Sequence, residues 1–299
     1  GANYNLTPVH NVFANVGYIS RAPFFSGGAF LNSTVSNEKN IGAVNEKIFS
    51  VEFGYGFKTP WLKADVNFYR TEWMDKLLSR SVDLNNGSRG TVNMEGIDAL
   101  HQGIELEAYA SVGRWLDINA MVSLGDWEWN NNAIGYFYDD GSQPLADMEG
   151  HIASGAGAPD HASMRLNLKG VKVGGSAQTT ASLGLKFKLS SDLRAGIDYF
   201  YAGRNYADWA FNSSDLLMFG VKDFVSPWEI PESHLFDLFA SYSFPLGSTR
   251  ATLSGNVNNV FDQEYIADAT DGGDGTWQSA NRIFYGFGRT YTVRMKISF

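Results

Sequence analysis

Aromatic side chains next to carboxylates are the strongest candidates for ligand binding in this sequence of 299 residues. Tyr136, Phe137, Tyr138, Asp139 and Asp140 are consecutive. Rings offer flat apolar faces and carboxylates accept hydrogen bonds from hydroxyl groups, so this pattern suits sugar rings and other neutral, flat ligands. Four more aromatic residues of the long connecting segments complete the candidate ligand-binding set: Trp209, Phe211, Trp228 and Trp277.

Three aspartates in a glycine-rich stretch, Asp268, Asp271 and Asp274, are the candidates for a metal site. Oxygen ligands on such a loop suit calcium. Their spacing does not follow the EF-hand pattern, and a solvated acidic loop is the simpler interpretation. We therefore expect no resident metal and no cofactor.

Two histidines lie close to aspartates: His151 near Asp147, and His161 beside Asp160. An Asp–His pair can perform general acid–base catalysis, but only when the groups are within hydrogen-bond reach of each other and of a substrate. A histidine-containing loop is the simpler interpretation, so we expect no enzymatic activity. The absence of cysteine excludes thiolate chemistry.

The elements that must position these residues alternate between apolar and polar side chains. At the end of the chain, apolar residues occupy every second position: Tyr291, Val293, Met295, Ile297 and Phe299. The same period of two recurs along the chain and predicts about ten β-strands with one apolar and one polar face each. The strands are long enough to cross a bilayer at a steep tilt.

Short and long connections alternate between these strands. The short ones lie at 58–60, 113–114, 190–192 and 245–249, and the long ones at 21–45, 74–101, 130–172, 206–233 and 264–282. Short turns at one end and long loops at the other are typical of an outer-membrane barrel. The sequence therefore predicts an antiparallel transmembrane β-barrel, all-β, with the long loops outside the cell and with membrane lipid around it.

The net charge of −9 argues against binding to nucleic acid. The five long connections hold 19 acidic and 10 basic residues, so they account for all of this charge. Two interpretations stay open. The acidic loops are solvated and bridged by divalent cations to a surface glycolipid, or they discourage anionic ligands at the mouth of the barrel.

Aromatic residues near the predicted strand ends have two interpretations. Trp127 and Trp129 fit an aromatic girdle at the upper membrane interface, and they also flank the candidate ligand segment. Girdle positions are the expectation for six more residues: Tyr69, Trp73, Tyr201 and Tyr206 at the same level, and Trp61 and Trp115 near the opposite rim. Charged residues of the polar faces are expected to point into the lumen and to pair there: the cations Lys63, Lys186, Lys188, Arg194, Arg294 and Lys296 with the carboxylates Asp65, Glu105, Asp117, Asp198 and Asp237.

Several motifs together resemble the C-terminal half of a TonB-dependent outer-membrane receptor, most closely of the Bacteroidota type. They lie at 20–23, 45–55, 69–73, 100–106, 256–265 and 284–290, and the penultimate-strand motif ends in Phe261, Asp262 and Tyr265. The final alternating strand that closes on Phe299 also resembles the signal read by the barrel-insertion machinery.

This resemblance implies that residues 1–299 are the C-terminal portion of a 22-stranded, plugged barrel in the outer membrane of a Gram-negative bacterium. It implies uptake of a scarce ligand, such as siderophore-bound iron, cobalamin, a glycan or a peptide. The implied partners are the missing plug and N-terminal barrel strands, TonB through that plug, and a surface lipoprotein.

A self-closed barrel of ten strands is the competing hypothesis. It would act as a pore, an adhesin or a surface protease, and it requires the strand from His10 to pair with the strand that ends at Phe299. A third hypothesis is a structural wall within a larger envelope complex.

Overall fold

The computed structural model describes residues 1–25, 28–31, 36–153, 161–209 and 220–299, and these residues form β-structure almost throughout. The strands are β1 (Ala2–Asn5), β2 (His10–Arg21), β3 (Glu46–Lys58), β4 (Leu62–Asp83), β5 (Arg89–Val112), β6 (Leu116–Trp129), β7 (Ala133–Asp139), β8 (Ser163–Asn167), β9 (Ala177–Lys188), β10 (Leu193–Tyr206), β11 (Val221–Asp223), β12 (Glu229–Ile230), β13 (Ser233–Leu246), β14 (Thr249–Asn258), β15 (Ile266–Thr270), β16 (Arg282–Tyr285) and β17 (Thr290–Ser298). A 3-10 turn covers Trp277–Ser279. Within the described ranges, no helix has the length and apolarity needed to span a membrane.

Eleven strands form one continuous antiparallel path, which we call the wall. Its order is β1-β2-β3-β4-β5-β6-β9-β10-β13-β14-β17. Tight turns join β3 to β4, β5 to β6, β9 to β10 and β13 to β14, and the longer connections leave from the opposite end. The predicted antiparallel sheet with alternating short and long connections is thus confirmed, with one strand more than the ten expected.

The two faces of the wall differ as the period of two requires. Large apolar side chains on one face are exposed, including Phe53 at 53%, Leu106 at 42% and Leu253 at 47%. We call this the apolar face, and exposure of such side chains is the pattern of a lipid-facing surface. The opposite, polar face carries the expected ion pairs, Lys63–Asp65 at 2.8 Å and Lys188–Asp117 at 2.7 Å.

The pairing of β2 contradicts the self-closed barrel. The His10 strand pairs with β3 along its whole length and with β1 on its other side, from Asn11 to Ala14. The second edge of β2 is thus occupied by β1 over four residues, and β17 pairs with β14 and not with β2. The wall path ends at β1 and at β17, because the residues before His10 form a further strand that the periodicity did not predict.

Segment 74–101, expected as a loop, is instead mostly strand. β4 and β5 have 22 and 24 residues and continue as a hairpin well beyond their neighbours. The ladder between them shifts register around Lys76, where Asp75 has a φ of 58° and Gly96 a φ of 67°. Such bulges rotate a strand and re-aim its side chains.

Beyond these bulges the sheet branches away from the wall path and forms a part that we call the cap. The distal hairpin of β4 and β5 pairs with β7, β7 pairs with β8, and β11 joins β8 in parallel. The connecting residues fold against one face of this sheet and close a hydrophobic core. Its fully or nearly fully buried members include Val82, Val92, Met94, Ile97, Trp129, Phe137, Leu145, Met164, Leu166, Leu168, Trp209 and Phe224.

Candidate functional site

A cluster of rings lies on the polar face of the wall, directly below the cap. Tyr69 of β4, His101 of β5 and Trp127 of β6 occupy neighbouring positions, since His101 is paired with Trp127 and Tyr69 with Gly103. The Trp127 indole N–H donates to the Tyr69 hydroxyl at 2.9 Å. The His101 ring lies 5.3 Å from the Trp127 ring. We call this cluster, with the depression beside it, the junction site.

Glycine makes room for these rings. A Cβ atom on Gly103 would lie 2.7 Å from the Tyr69 hydroxyl, and a Cβ on Gly125 would lie 2.7 Å from the Trp127 indole nitrogen. Real side chains do not approach so closely, so both positions need glycine for the rings to lie flat across the neighbouring strands. The sheet geometry thereby holds two aromatic rings in fixed orientations.

Polar groups surround the rings and line an open depression of about 260 Å³. Its lining is Glu52, Asn67, Tyr69, Thr71, His101, Glu105 and Trp127. The Asn67 amide donates to Glu105 at 3.4 Å. The side-chain carbonyl oxygen of Asn67 and the Nδ1 atom of His101 are buried and have no hydrogen-bond partner among the described residues. A buried polar atom without a partner costs free energy, so a hydrogen bond to either atom would stabilise this site.

This arrangement can stack a flat ligand on an aromatic face and accept hydrogen bonds from it through two carboxylates. All of the lining residues that the structure describes are acidic, neutral polar or aromatic, so the local field favours neutral or cationic groups. The chemistry is that of binding.

The girdle expectation is wrong for Trp127, Trp129, Tyr69 and Trp73. Trp127 is four residues after Ser123 in β6, so both side chains lie on the same face, and Ser123 is paired with Glu105 on the polar face. Trp129 is only 6% exposed and packs edge-on against Trp209 in the cap core, with ring centroids 6.3 Å apart. A girdle requires the apolar face.

Three of the other expected girdle residues are consistent with that role. Tyr201 lies opposite Ala181, in a row of the apolar face. Trp61 and Trp115 lie at the short-turn end of the wall and are 58% and 53% exposed. An interfacial role for these three residues stays a prediction. Tyr206, opposite Glu229, is an even-numbered residue of β10 and follows the alternation of the polar face, so the girdle expectation is wrong for it as well.

The segment 136–140, the first candidate for ligand binding, is divided between the two faces of the cap sheet. Phe137 is fully buried in the core, so its ring offers no surface to a ligand. Tyr136 and Tyr138 point to the other face and hold the His161 ring between them, at 5.2 and 4.9 Å. The His161 Nε2–H donates to the Phe137 carbonyl oxygen at 2.9 Å.

Burial raises the pKa of the Tyr138 hydroxyl to about 12, with the nearby Glu95 carboxylate as the second cause. Tyr138 is therefore a neutral hydrogen-bond donor at any physiological pH. Asp139 accepts from the backbone N–H of Gln143 at 2.6 Å and shapes the following turn, whereas Asp140 is exposed. Tyr136, Tyr138 and Asp140 thus stay candidates for ligand contact.

The remaining aromatic candidates do not converge on one place. Trp209 is 4% exposed within the cap core. Trp228 is half-buried near β12 and β15, and its backbone N–H donates to Asp271 at 2.8 Å. Trp277 is 60% exposed in the 3-10 turn. Phe211 lies outside the described residues.

The three aspartates of the calcium candidate have separate structural partners. Asp271 is 1% exposed and accepts backbone N–H groups from Trp228 and Gly273. Asp274 accepts from Ser279 and Thr276, and these hydrogen bonds lower the pKa of its carboxyl group. Asp268 is exposed, and within the described ranges no three His, Cys, Asp or Glu residues come together as a metal site.

The final strand has the predicted form. Tyr291, Val293, Met295 and Ile297 of β17 are exposed on the apolar face, and Phe299 ends the chain fully exposed. The recognition of this strand by an insertion machinery stays a prediction.

Solved structures share this architecture. The ferric-catecholate import receptor Fiu from K12 E. coli aligns over 98% of this chain and 33% of its own, with a TM-score of 0.58 and 14% identity. The copper transporter OprC aligns over 98% and 38%, with a TM-score of 0.59 and 16% identity. The FrpB iron transporter from Neisseria meningitidis aligns over 99% and 37%, with a TM-score of 0.56 and 18% identity.

These likenesses establish the fold, and the chain spans about a third of the length of the three structures. No curated protein sequence matches the chain significantly. A family model described as "TonB dependent receptor-like, beta-barrel" matches residues 1–260. This match covers most of the chain, including most of the eleven-stranded wall. The chain therefore belongs to the TonB-dependent receptor β-barrel family, whose members are outer-membrane proteins.

Proposed function

We propose that this chain supplies part of the wall and the outer cap of a receptor for TonB-dependent uptake of a scarce ligand. The observation that carries the proposal is the family match over residues 1–260, combined with a polar wall face that holds an aromatic site below a folded cap. The related structures are named as receptors and transporters for ferric catecholates, copper and iron. Siderophore-bound iron, cobalamin, a glycan or a peptide are the ligand classes that we propose for testing.

The orientation follows from the connections. The long segments and the cap lie at one end of the wall, and the tight turns at the other. Barrels of the outer membrane have short periplasmic turns and longer extracellular loops. We place the cap outside the cell and the short turns in the periplasm.

Partners complete this assembly. The path of the wall ends at β1 and β17, and unpaired strand edges are unfavourable inside a bilayer. Further barrel strands of the same polypeptide would pair with both edges, and a plug that contacts TonB would fill the polar interior. Residues 1–299 would then be the C-terminal portion of the barrel. We also propose that surface glycolipid lies beside the acidic loops and that a surface lipoprotein is a partner. The receptor would be of the Bacteroidota type.

In this arrangement the cap captures the ligand and the junction site binds it. Tyr136, Tyr138 and Asp140 lie on the cap, and the Tyr69–Trp127 pair lies on the wall where the cap begins. Phe137 and Trp209 contribute by holding the cap core.

The first test is the intact mass of the native polypeptide extracted from outer membranes, followed by its binding to the periplasmic domain of TonB. We expect a mass of about 80–110 kDa, the scale of a plugged barrel of 22 strands, and binding to TonB. A mass equal to this chain alone, with no TonB binding, would contradict the proposal.

The second test compares two tryptophans in the full-length receptor. A strain that lacks the receptor gene would be complemented with wild type, Trp127→Ala or Trp115→Ala. Its growth would be measured on a panel of ferric siderophores, cobalamin and oligosaccharides as limiting nutrients. We expect wild type and Trp115→Ala to support growth on one of them, and Trp127→Ala to slow that uptake about tenfold. Equal uptake by all three would place binding elsewhere.

A further inference from the structure

A groove crosses the apolar face of the wall, and its floor is a row of small residues. Ala195 of β10 is paired with Ala240 of β13, which is paired with Gly255 of β14. Two residues away along each strand, in both directions, stand larger apolar side chains: Ile197, Leu238 and Val257 on one side, Leu193, Tyr242 and Leu253 on the other. The part of the groove bounded by Phe187 and by the row of Ile197, Leu238 and Val257 has a volume of about 500 Å³.

The floor of the groove is open at Gly255. A Cβ atom there would meet only the Thr292 carbonyl oxygen, at 3.9 Å. The space above this glycine is thus available to an occupant, in contrast to Gly103 and Gly125, whose space is filled by rings of the polar face.

The width of the groove determines whether an acyl chain or an α-helix can occupy it. The two flanking rows are four residues apart, or about 13 Å between backbones, and their own side chains fill part of that width. An α-helix with its side chains is about 10–12 Å across and would rest on the flanking rows without reaching the floor. A single hydrocarbon chain is narrow enough to reach it.

The position of the groove points to a lipid in one leaflet. The row starts at Phe187, which is paired with Ala195 and lies one residue from the short-turn end of β9. The Trp115 ring stacks on Phe187 at 6.2 Å, and indole rings favour the interface between the membrane and water. From there the row rises to Gly255, the seventh residue of β14. The groove therefore runs from the interface at the short turns toward the membrane centre.

We propose that this groove holds one acyl chain of a phospholipid in the leaflet next to the short turns, with its headgroup beside Trp115. The acyl chain fills the space over Gly255 and contacts the flanking Leu and Val side chains, whose apolar surface it covers. The choice of the periplasmic leaflet rests on the orientation given under the proposed function. The groove itself does not depend on what the receptor transports.

The test is native mass spectrometry of the full-length receptor, purified in a mild detergent. Wild type is expected to retain one phospholipid. Gly255→Leu places a side chain in the open space and should lower that retention about tenfold. Ala240→Val is a milder second variant, in case Gly255→Leu fails to fold. Gel mobility with and without heating reports whether each barrel is folded.

Ala181→Leu is the matched control, because Ala181 lies on the apolar face of β9, opposite Val122 and outside the groove lining. It should keep the lipid. Equal retention by folded Gly255→Leu or Ala240→Val and wild type, or equal loss in Ala181→Leu, would overturn the groove as a lipid site. Retention of the outer-leaflet glycolipid in place of a phospholipid would overturn the leaflet assignment. Neither result would bear on the TonB-dependent role.

Discussion

The wall and the cap use the same kinds of side chain in opposite ways. Leu106, in the wall portion of β5, is 42% exposed on the apolar face, whereas Met94 of the same strand is completely buried. The wall relies on lipid to cover its apolar face. The cap supplies its own cover, because the connecting segments fold back and bury Phe137 and Leu166 completely. One strand thus passes from a membrane protein's packing to a soluble protein's packing.

The change occurs at the two bulges. In the wall, odd-numbered residues of β5 such as His101 and Glu105 belong to the polar face. Above Gly96, even-numbered residues such as Met94 join Ile97 in the cap core. The left-handed backbone at Gly96 changes which residues point to this side of the strand, from odd-numbered to even-numbered ones. The polar face of the wall therefore continues into the hydrophobic core of the cap. The junction site lies at this transition.

Removing a cap core side chain is expected to give the largest effect. Phe137→Ala should destabilise the cap by about 3–5 kcal/mol, the usual cost of emptying a fully buried phenylalanine site. The measurement is amide hydrogen exchange in the full-length receptor in detergent. We expect faster exchange in β7 and β8, and unchanged exchange in β9 and β10.

Tyr136→Ala is the control for this experiment, because Tyr136 is adjacent in sequence and lies on the other face of the same strand. Tyr136→Ala should lower the stability of the cap clearly less than Phe137→Ala. Equal loss of protection in the wall would mean that cap and wall unfold as one unit, and the comparison would fail.

A charge on the apolar face of the wall is expected to give the next largest effect. Val122→Arg places a cation on the face that contacts lipid and should cost about 2–4 kcal/mol near the bilayer centre. Ser123→Arg is the matched variant, since Ser123 is paired with Glu105 on the polar face and a cation there gains a partner. The folded fraction after refolding into liposomes, at increasing urea, compares the two. A lower folded fraction for Ser123→Arg than for Val122→Arg would reverse the assignment of the polar and apolar faces.

Local periodicity predicts most of the wall. The alternation over residues 291–299 and the tight turns near 60, 114, 191 and 247 appear in the structure as expected. The sequence of segment 74–101 indicates a loop, and the structure explains why: the bulges at Asp75 and Gly96 interrupt the alternation. Its side chains are also buried on both faces, as Val92 and Asn93 show, so no polar face marks the strand.

Part of the junction site was within reach of the same reasoning. The apolar residues of β6 from Leu116 to Leu124 have even numbers, so Trp127 must lie on the opposite face. Tyr69 follows in the same way from Asp65 and Asn67. The core role of Phe137 depends on segments such as β8 folding back onto β7 from far along the sequence. No local pattern encodes that contact.

A pH effect at the cap surface is expected to be the smallest. The hydrogen bond between His151 Nδ1 and Asp147 Oδ2, at 2.6 Å, raises the pKa of His151 above its ordinary 6.5 and lowers that of Asp147 below its ordinary 3.8. The contribution of His151 is complete below pH 6.5 and is lost as the pH rises through its raised pKa. The contribution of Asp147 is complete above pH 3.8 and is lost as the pH falls through its lowered pKa.

The Asp147–His151 pair therefore orders its loop most strongly at weakly acidic pH and releases it on the alkaline side. Both side chains are exposed, so water and salt screen the pair and the change in stability is slight. NMR titration of the His151 ring in the full-length receptor measures the raised pKa directly, and Asp147→Asn should return it toward 6.5. The protection of the Val92 amide, which is its exchange rate relative to the intrinsic rate at each pH, should stay constant over the same range, because Val92 is completely buried in the cap core. A core that loosened together with the pair would show that surface and core of the cap are coupled.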